Sequence, residues 1–309
     1  MSAVLNKVLM GETEIEWDRY ILDEDDIARF VDPRTLVSKI SDVLHQRGAR
    51  AGVALPWAGM QDRVRIRRGE LSVWAGINFH GKTTMLKQIV LHMVRSGEKV
   101  CMASLEELPE VTMAGIARMA VPDTDIRENS DEPDGWLSYV CGELSGRFWL
   151  YNQTKMIDPQ RVLALIGYCA QELGCTMFVL DSLMRTALPQ DDYEGQRVFC
   201  NSLDNYARAL NIHIALVHHI VKVDESEVPG RHSIRGSGAI IDNCSQSFIV
   251  WRNTNEDKRE EDPDGLLVVA KNRGLPPLDW IGKVQMFQHK SGQFLRARRD
   301  NPMQFIKGM

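Results

Sequence analysis

The sequence lacks the features that mark exported, membrane-bound or disulfide-stapled proteins. No apolar run approaches the roughly 18 residues that a membrane-spanning helix needs, and the first residues lack the charged start and long apolar stretch of a signal peptide. The six cysteines are scattered without a Cys-x-x-Cys pair, so neither a disulfide framework nor a zinc site is indicated. These absences predict a protein of the reducing cytoplasm that has no membrane partner.

The chain also lacks an excess of positive charge. Its 37 lysines and arginines are outnumbered by 42 aspartates and glutamates, which gives a formal net charge of −5. Overall charge therefore provides no general attraction to nucleic acid, and any such binding has to come from local loops or from an assembly of several copies. With 309 residues, of which 44% are hydrophobic, the chain can form one large core and a short extension.

The amino-terminal region does not follow the pattern of a globular core. Residues 1–30 are acidic and are predicted to form a tail, either simply solvated or used to recruit a partner. In residues 31–50, the apolar side chains of Leu36, Ile40 and Leu44 recur every four positions, which predicts an amphipathic helix. The apolar stripe of this helix requires a partner.

The main domain is predicted to extend over residues 51–295. Its first part, between Gly52 and Gly69, is rich in charges and turn residues and is expected to be an irregular lead-in. From Glu70 onward, apolar strands alternate with helical stretches, which is typical of an α/β fold with a mostly parallel sheet and helices on both faces. Residues 296–309 are predicted to form a basic tail, with a solvated chain end as the default.

The individual elements are predicted from hydrophobic periodicity and turn signals. Strands are expected at residues 71–75, 99–103, 148–151, 177–180 and 212–217. Helices are expected at residues 83–96, 110–120, 159–173 and 194–210. Turn-rich segments instead of long helices separate three later strands, so the sheet is expected to end in antiparallel strands. These three strands are expected at residues 247–251, 266–270 and 283–288.

One motif indicates the chemistry. Residues 76–83 read Gly-Ile-Asn-Phe-His-Gly-Lys-Thr, which matches the pattern G-x-x-x-x-G-K-S/T between a predicted strand and a predicted helix. Backbone N–H groups of such a loop and of the following helix terminus bind phosphate oxygens, and Lys82 reaches the β and γ phosphates. The Thr83 hydroxyl is a ligand for Mg²⁺. The motif therefore predicts a site for ATP, or another nucleoside triphosphate, with Mg²⁺.

Two further acids are expected near the nucleotide. Asp181 follows the apolar strand 177–180, at the edge where parallel sheets bind ligands, so it is predicted to lie beside the metal. The alternative is that Asp181 only caps the next turn. An acid that orients the attacking water is expected after strand 99–103, where Glu106 and Glu107 are both candidates. A glutamate exposed at a helix start is the alternative interpretation of that pair.

Six elements, taken in order, resemble the RecA-like motor of the DnaB-type replicative DNA helicases, especially phage versions and the helicase half of phage primase-helicases. They are residues 76–84, Ser104-Leu-Glu106, Leu180-Asp181-Ser182, Leu216-Val-His-His219, Arg235-Gly-Ser-Gly-Ala-Ile240 and Ala270-Lys-Asn-Arg273. The resemblance covers about residues 50 to 290. Only the first element is specific when taken alone, so the match depends on the ordered set.

The resemblance implies roles for the residues around the nucleotide. Glu106, preferred to Glu107, would be the catalytic base, and His219 would sense the γ-phosphate at a position where many relatives have glutamine. A metal held by the neighbouring histidines is the alternative for His219. Arg252 would stack on the nucleotide base, unless it is an ordinary exposed arginine at a strand end. The nucleotide-binding loop would also include Gly76, Asn78, Gly81 and Thr84.

The resemblance also implies a ring of subunits, expected to be a hexamer, around single-stranded DNA. Lys271 and Arg273 would reach the nucleotide of the neighbouring subunit, where Arg273 would stabilise charge on the transferred phosphoryl group. The helix within residues 31–50 would dock on the adjacent subunit. The loop 221–238 would line the channel, unless it is an ordinary surface loop. Its DNA-binding residues would be Arg235, Gly236, Ser237 and Gly238.

The implied function is a ring-forming, ATP-dependent helicase that translocates on single-stranded DNA and unwinds duplex at a replication fork, in a bacterial or phage-infected cell. A helicase loader or a primase is the expected protein partner. Two alternatives stay open. One is a DNA-dependent ATPase of the recombinase or clock type without ring helicase activity, and the other is a non-catalytic replication adaptor.

Overall fold

The computed structural model describes residues 30–45, 51–123, 135–153, 155–189, 191–220, 227–233, 237–274 and 279–305. Residue contacts divide the chain into two units, one from Met1 to Arg47 and one from Gly48 to Met309. No helix in the described ranges is both long and apolar enough to cross a membrane.

The first unit contains a 3₁₀ turn, Pro33–Leu36, that continues into helix α1, Val37–Leu44. Asp32 caps its start by accepting a hydrogen bond from the Arg34 backbone N–H at 2.9 Å. The predicted helix is therefore present, and its docking on a neighbouring subunit stays a prediction. Residues 1–29 of the predicted acidic tail lie outside the described residues. The apolar side chains that α1 exposes are Val37, Ile40, Val43 and Leu44.

The second unit is built on one nine-stranded sheet, which a short antiparallel hairpin precedes. The hairpin strands are β1 (Val53–Ala54) and β2 (Arg65–Ile66). The sheet strands are β3 (Leu71–Gly76), β4 (Val100–Ser104), β5 (Phe148–Leu150), β6 (Met177–Asp181), β7 (His213–His219), β8 (Gln246–Arg252), β9 (Gly265–Asn272), β10 (Gly282–Gln288) and β11 (Phe294–Leu295). Their spatial order is β5-β4-β6-β7-β3-β8-β9-β10-β11.

The strand directions agree with the sequence prediction. The strands from β5 to β8 in this order are parallel to one another. The last three, β9, β10 and β11, join antiparallel. The predicted fold class, a mostly parallel α/β sheet that ends in antiparallel strands, is therefore confirmed.

Alternate side chains of the strands enter two large cores, one on each face of the sheet, and a third, smaller core contains Ala75 and Ile249. Trp74 packs into one large core together with residues of three helices. The adjacent Val73 packs into the other large core together with residues of three different helices. The first three helices are α2 (Lys82–Arg95), α3 (Pro109–Ala120) and α4 (Gly135–Leu144). The others are α5 (Pro159–Gln171), α6 (Tyr193–Leu210) and α7 (Ser237–Asn243). Helices therefore cover both faces, as predicted.

The strand order brings several predicted site residues to one edge of the sheet. In the parallel part, the carboxyl ends of all strands lie at the same edge. There β3 ends at Gly76, β4 at Ser104, β6 at Asp181, β7 at His219 and β8 at Arg252. The loops that leave this edge therefore include the phosphate-binding motif and the segment that contains Glu106.

The segment between Gly52 and Gly69 differs from the irregular lead-in that the sequence predicted. It forms the β1–β2 hairpin, and Leu55, Trp57 and Met60 from the connection are almost fully buried beside α2. The sequence signal was weak because each strand has only two residues and the apolar residues between them follow neither a helical nor a strand period.

Strand β11 is fixed against the first half of α2. The Trp57 indole N–H donates to the Phe294 carbonyl at 2.9 Å. Gln88 of α2 exchanges two further hydrogen bonds with the Phe294 backbone, at 3.1 Å and 2.8 Å. The Phe294 ring lies against Gly81, where an added Cβ would be 3.2 Å from the ring Cζ. Trp57, Gln88 and Phe294, from three parts of the chain, therefore support the loop between β3 and α2.

The packed domain continues past residue 295, where the sequence predicted a basic tail. Arg298 donates to the Asp264 carboxylate at 3.0 Å, and its guanidinium lies over the Phe287 ring, 5.1 Å from the centroid. Phe305 is 7% exposed and belongs to the core beside α2. The tail prediction was wrong through residue 305, because these partners lie far away in sequence. Lys307, which the prediction also counted, lies outside the described residues.

A buried polar chain joins β3 to β7. The Trp74 indole N–H donates to Ser72 Oγ at 3.0 Å, and Ser72 Oγ lies 2.8 Å from His213 Nε2. The other ring nitrogen, Nδ1, lies 2.9 Å from the Arg67 carbonyl oxygen, so it carries the donated hydrogen. Burial lowers the pKa of His213 to about 4, with the carbonyl contact acting in the opposite direction. The fold therefore requires a neutral imidazole.

Lowering the pH is expected to destabilise the protein through His213. The folded-state pKa lies below the ordinary 6.5, so the stability from the neutral ring is complete above pH 6.5 and is lost as the pH falls toward 4. The loss should reach about 3 kcal/mol, at about 1.4 kcal/mol per pKa unit. Chemical denaturation of the wild type and of His213→Asn at pH 7 and pH 4 measures it. The stability advantage of the wild type should shrink by this amount, whereas an advantage independent of pH would contradict the assignment.

Candidate nucleotide-binding site

The loop between β3 and α2 has a backbone that requires both glycines of the motif. Gly81 caps α2 with a φ of 91°, a left-handed conformation that glycine adopts without strain. A Cβ on Gly76 would lie 2.4 Å from the Val250 carbonyl oxygen, so only glycine fits beside β8 at this point. The loop shape therefore follows from the sequence pattern that predicted a phosphate site.

The Lys82 side chain folds over this loop. Its Nζ donates to the carbonyl oxygens of Gly76 at 3.0 Å and of Ile77 at 2.9 Å. Burial lowers the pKa of Lys82, while the charges of Asp181 and Glu106 act in the opposite direction. The site therefore places the Lys82 Nζ next to two acids, in a position from which it can bind phosphate oxygens.

Thr83 and Asp181 are in direct contact. The Thr83 hydroxyl donates to Asp181 Oδ2 at 2.5 Å, which joins the start of α2 to the end of β6. Burial raises the pKa of Asp181 to about 6; the Thr83 hydrogen bond and Lys82 lower it, and Glu106 raises it further. The carboxylate bonds to the phosphate loop, which favours the predicted metal-side position over a simple turn cap.

The Thr83–Asp181 pair fits a magnesium ion. Hydroxyl and carboxylate oxygens are the donors that Mg²⁺ prefers, and it usually completes its octahedron with water and phosphate oxygens. When bound, Mg²⁺ would neutralise charge on the phosphates and stabilise the ionised form of Asp181. In the part of the chain that the structure describes, no group of three or more His, Cys, Asp or Glu side chains could hold a metal by itself. This finding applies equally to the histidines near His219.

Glu106 lies across the site from Lys82. Its Oε1 accepts a hydrogen bond from Ser182 Oγ at 2.7 Å and lies 3.9 Å from His219 Nε2. The interaction with His219 is the largest cause of a Glu106 pKa lowered to about 2; burial opposes it, and the Ser182 hydrogen bond and the charge of Arg185 add to it. Glu106 is therefore an ionised carboxylate at neutral pH, partly open to solvent.

Glu107 points away from this cluster. Its Oε2 accepts hydrogen bonds from Lys87 Nζ at 2.7 Å and from Thr112 Oγ1 at 3.0 Å. Both partners belong to helices, Lys87 to α2 and Thr112 to α3, so Glu107 joins the two helices. Of the two glutamates, only Glu106 faces Ser182 and His219. Glu106 therefore stays the predicted water-orienting acid, and Glu107 is the glutamate that joins two helices.

His219 and Arg252 both lie beside the phosphate loop. His219 is level with Gly76, because β7 and β3 pair in that register. The Arg252 backbone N–H donates to His80 Nδ1 at 3.1 Å, which fixes the end of β8 to the loop, and the Arg252 side chain is exposed. Asn78 is also exposed, and Thr84 is half-buried in the first turn of α2. The roles assigned to these four residues stay predictions.

Lys271 and Arg273 lie at the opposite edge of the sheet. Their neighbour Asn272 is level with Gln246, the first residue of β8, which is level with Ser72 in β3. Gly76 is four residues farther along β3, which corresponds to about 13 Å along the strand direction. Arg273 Nη2 donates to the Asp242 carbonyl at 3.1 Å. The pair is thus separated from the Lys82 site of its own chain.

Two of the four predicted DNA-binding residues, Ser237 and Gly238, lie at the start of α7. Arg235 and Gly236 are outside the described residues, and the backbone of Ser237 and Gly238 forms the first turn of α7. Sequence reasoning assigned no role to Ser182, whose hydroxyl contacts Glu106. Its position directly after Asp181, at the same sheet edge, was the available signal.

The fold and the site define the class of protein. The chain has a RecA-like P-loop ATPase fold, with Lys82, Thr83, Asp181, Glu106 and His219 gathered at the carboxyl edge of the parallel strands.

Comparisons with known proteins agree with this class. No protein-family model matches the chain. A DNA helicase/primase of Enterobacteria phage T3 is 25% identical over 216 residues, which make up 64% of this chain and 38% of that protein. The chain therefore corresponds to well under half of the length of this relative.

Two solved structures have the same fold. An ATPase domain superposes with a TM-score of 0.71 and 17% identity, over 86% of this chain and 98% of that domain. The second structure is a DnaB-like replicative helicase that was described together with its interactions with primase. It superposes with a TM-score of 0.70 and 18% identity, over 86% of this chain and 67% of that one. The predicted resemblance to the DnaB-type replicative helicases, and to phage versions in particular, is confirmed.

Proposed function

We propose that the protein is an ATP-dependent DNA helicase that assembles as a ring, translocates on single-stranded DNA and unwinds duplex at a replication fork. One observation carries the proposal. The nucleotide site of a single chain contains a lysine, a metal-side acid and an ionised glutamate, while the Lys271–Arg273 pair lies at the other edge of the sheet. A second subunit that brought its pair to this site would complete it.

Each residue of the site has a chemical role in ATP hydrolysis. Lys82 binds the β and γ phosphates, Thr83 and Asp181 hold Mg²⁺, and Glu106 accepts a hydrogen bond from the attacking water and orients it. The hydrogen bond from Ser182 keeps Glu106 aimed into the site. His219 lies close enough to Glu106 to respond to the γ-phosphate. Arg252 binds the base, and Gly76, Asn78, Gly81 and Thr84 complete the phosphate loop.

The ring follows from the separated arginine. Arg273 of one subunit stabilises negative charge on the phosphoryl group held by the next subunit, so hydrolysis occurs only at interfaces. The apolar stripe of α1, exposed at Val37, Ile40 and Leu44, docks on an adjacent subunit. A closed hexamer satisfies both contacts, because each subunit then gives and receives the same two surfaces.

Single-stranded DNA and a replication protein are the proposed partners. DNA phosphates are contacted by Arg235 and by the backbone of Gly236, Ser237 and Gly238. Such contacts do not depend on the DNA sequence. A ring collects several copies of this loop, which compensates for the net charge of −5. A primase or a helicase loader is the proposed protein partner, supported by the names of the phage relative and of the DnaB-like structure.

The wild-type protein with ATP and Mg²⁺ is expected to displace the labelled strand of a forked DNA duplex, and single-stranded DNA should stimulate its phosphate release. Lys82→Ala removes the phosphate ligand, so it should abolish both activities and serves as the control. Stimulated hydrolysis without strand displacement would instead identify a DNA-dependent ATPase of the recombinase or clock type. No hydrolysis in the wild type would leave the adaptor alternative.

A further inference from the structure

The short helix α7 receives the side chains of the proposed interfacial pair. Lys271 Nζ donates to the Ile241 carbonyl and, at 3.2 Å, to the Asp242 carbonyl. Arg273 Nη2 donates to the same Asp242 carbonyl at 3.1 Å. Carbonyls at the end of a helix lack partners within the helix and attract cations. The carbonyls of Ile241 and Asp242 at the end of α7 therefore bind the side chains of both Lys271 and Arg273, and we call these two carbonyls the seat of the pair.

The backbone beneath this pair is held in place. The Arg273 N–H donates to the Ser245 carbonyl at 2.9 Å, and the Arg273 carbonyl accepts a hydrogen bond from the Arg67 guanidinium. Asn272, between the two cations, is 7% exposed and accepts a hydrogen bond from Gln246 at 2.8 Å. Any change in the reach of the Arg273 guanidinium must therefore come from its side chain and from its seat on α7.

The other side of α7 contacts the nucleotide edge of the same chain. The Ile241 side chain is 3% exposed and packs in a small core with Ala75, Ile220 and Ile249. Ala75 directly precedes Gly76 of the phosphate loop, and Ile220 directly follows His219. One residue, Ile241, thus combines a side chain packed below the subunit's own nucleotide site with a carbonyl that binds Lys271.

We infer that Ile241 is a positioning residue that couples the nucleotide site of a subunit to the Lys271–Arg273 pair which that subunit offers to its neighbour. This inference rests on the proposed interfacial role of the pair. Close-packed cores transmit small displacements instead of absorbing them, so a shift of Ala75 or Ile220 moves Ile241 and with it the seat of the pair. Thermodynamic linkage makes the effect reciprocal for nucleotide binding at the two sites.

The test compares Ile241→Ala with the matched control Ile166→Ala in the full chain. Ile166 is also an isoleucine with almost no exposure, and it lies in α5, away from the small core around Ile241. Both variants should still bind nucleotide in a fluorescent-ATP titration, because the phosphate loop is intact. In Ile241→Ala the Hill coefficient for ATP should approach one, because couplings between binding sites are typically worth about 5- to 150-fold in affinity. The kcat should fall about tenfold, because the Arg273 offered to the neighbouring subunit is no longer held in position. Ile166→Ala should retain wild-type values of both.

Rescue by a conservative change separates positioning from general destabilisation. Ile241→Val keeps most of the packing and should restore most of the kcat and of the cooperativity. If Ile241→Ala does not fold, Ile241→Val should still show a lower Hill coefficient than the wild type. Wild-type cooperativity in whichever Ile241 variants fold would overturn the inference. Complementation between Arg273→Ala and Lys82→Ala subunits reports the shared site separately, so its failure is distinguishable from a failure of the coupling.

Discussion

Replacing Glu106 by glutamine is expected to lower ATP turnover by about 10³-fold or more while leaving nucleotide affinity nearly unchanged. The amide keeps the size of the side chain and can still contact Ser182, which donates to Glu106 at 2.7 Å. It removes the negative charge that we propose accepts a hydrogen bond from the attacking water and orients it. The phosphates are bound by Lys82 and the loop instead, so binding should persist. Single-turnover phosphate release and a fluorescent-nucleotide titration measure the two effects.

Glu107→Gln is the matched control for this prediction. Glu107 differs by one position but bonds to Lys87 and Thr112 between two helices. Its replacement should reduce thermal stability slightly and leave kcat within about threefold of the wild type, as for a partly exposed ion pair. The base assignment would be wrong by one residue if Glu107→Gln lost turnover and Glu106→Gln kept it.

Mixing two inactive variants, Arg273→Ala and Lys82→Ala, is expected to restore part of the ATPase activity. Arg273→Ala alone should bind nucleotide and lose about 10³-fold or more in turnover, because its charge acts mainly in the transition state. Lys82→Ala alone cannot hold the phosphates. In a mixed assembly, some interfaces combine the intact loop of one variant with the intact arginine of the other. Such interfaces contain a complete site, and phosphate release after subunit exchange measures them.

Two controls make the mixing experiment decisive. Doping wild-type subunits with either variant shows how many inactive subunits an assembly tolerates. Arg197→Ala is the matched control, because it removes an exposed arginine that pairs with Glu194 in α6. This variant should have wild-type activity. Its mixture with Lys82→Ala should show no more activity than Arg197→Ala contributes by itself. If subunits exchange, doping is tolerated and no activity returns, Arg273 does not act across an interface and the ring proposal loses its main support.

The parts of the fold that the sequence predicted correctly are those whose signals are local. The phosphate loop has a fixed spelling, and the parallel strands are largely apolar, with a continuous apolar run in the buried strand β6. Asp181 could be identified because it directly follows such a run. Together these signals were sufficient to predict eight of the nine strands of the sheet, four of its helices and the edge at which the site lies.

The features that the sequence missed depend on distant partners. The resemblance already preferred Glu106, but the sequence could not show that Glu107 bonds to Lys87 and Thr112 on two different helices. The seat of Arg273 on α7 joins positions about thirty residues apart, and neither α7 nor α4 was predicted. The basic tail was mispredicted because Arg298 has its carboxylate partner at Asp264. Periodicity along the chain contains no information about such pairs.

The support of Gly81 by Phe294 has a consequence for biosynthesis. The Phe294 ring lies against the phosphate loop, and its backbone is bonded to Trp57 and Gln88. The ribosome makes the loop more than two hundred residues before it makes Phe294. A nascent chain that already contains Lys82, Asp181 and Glu106 therefore still lacks the support under its phosphate loop. Competence to bind nucleotide is therefore expected to arise late in translation.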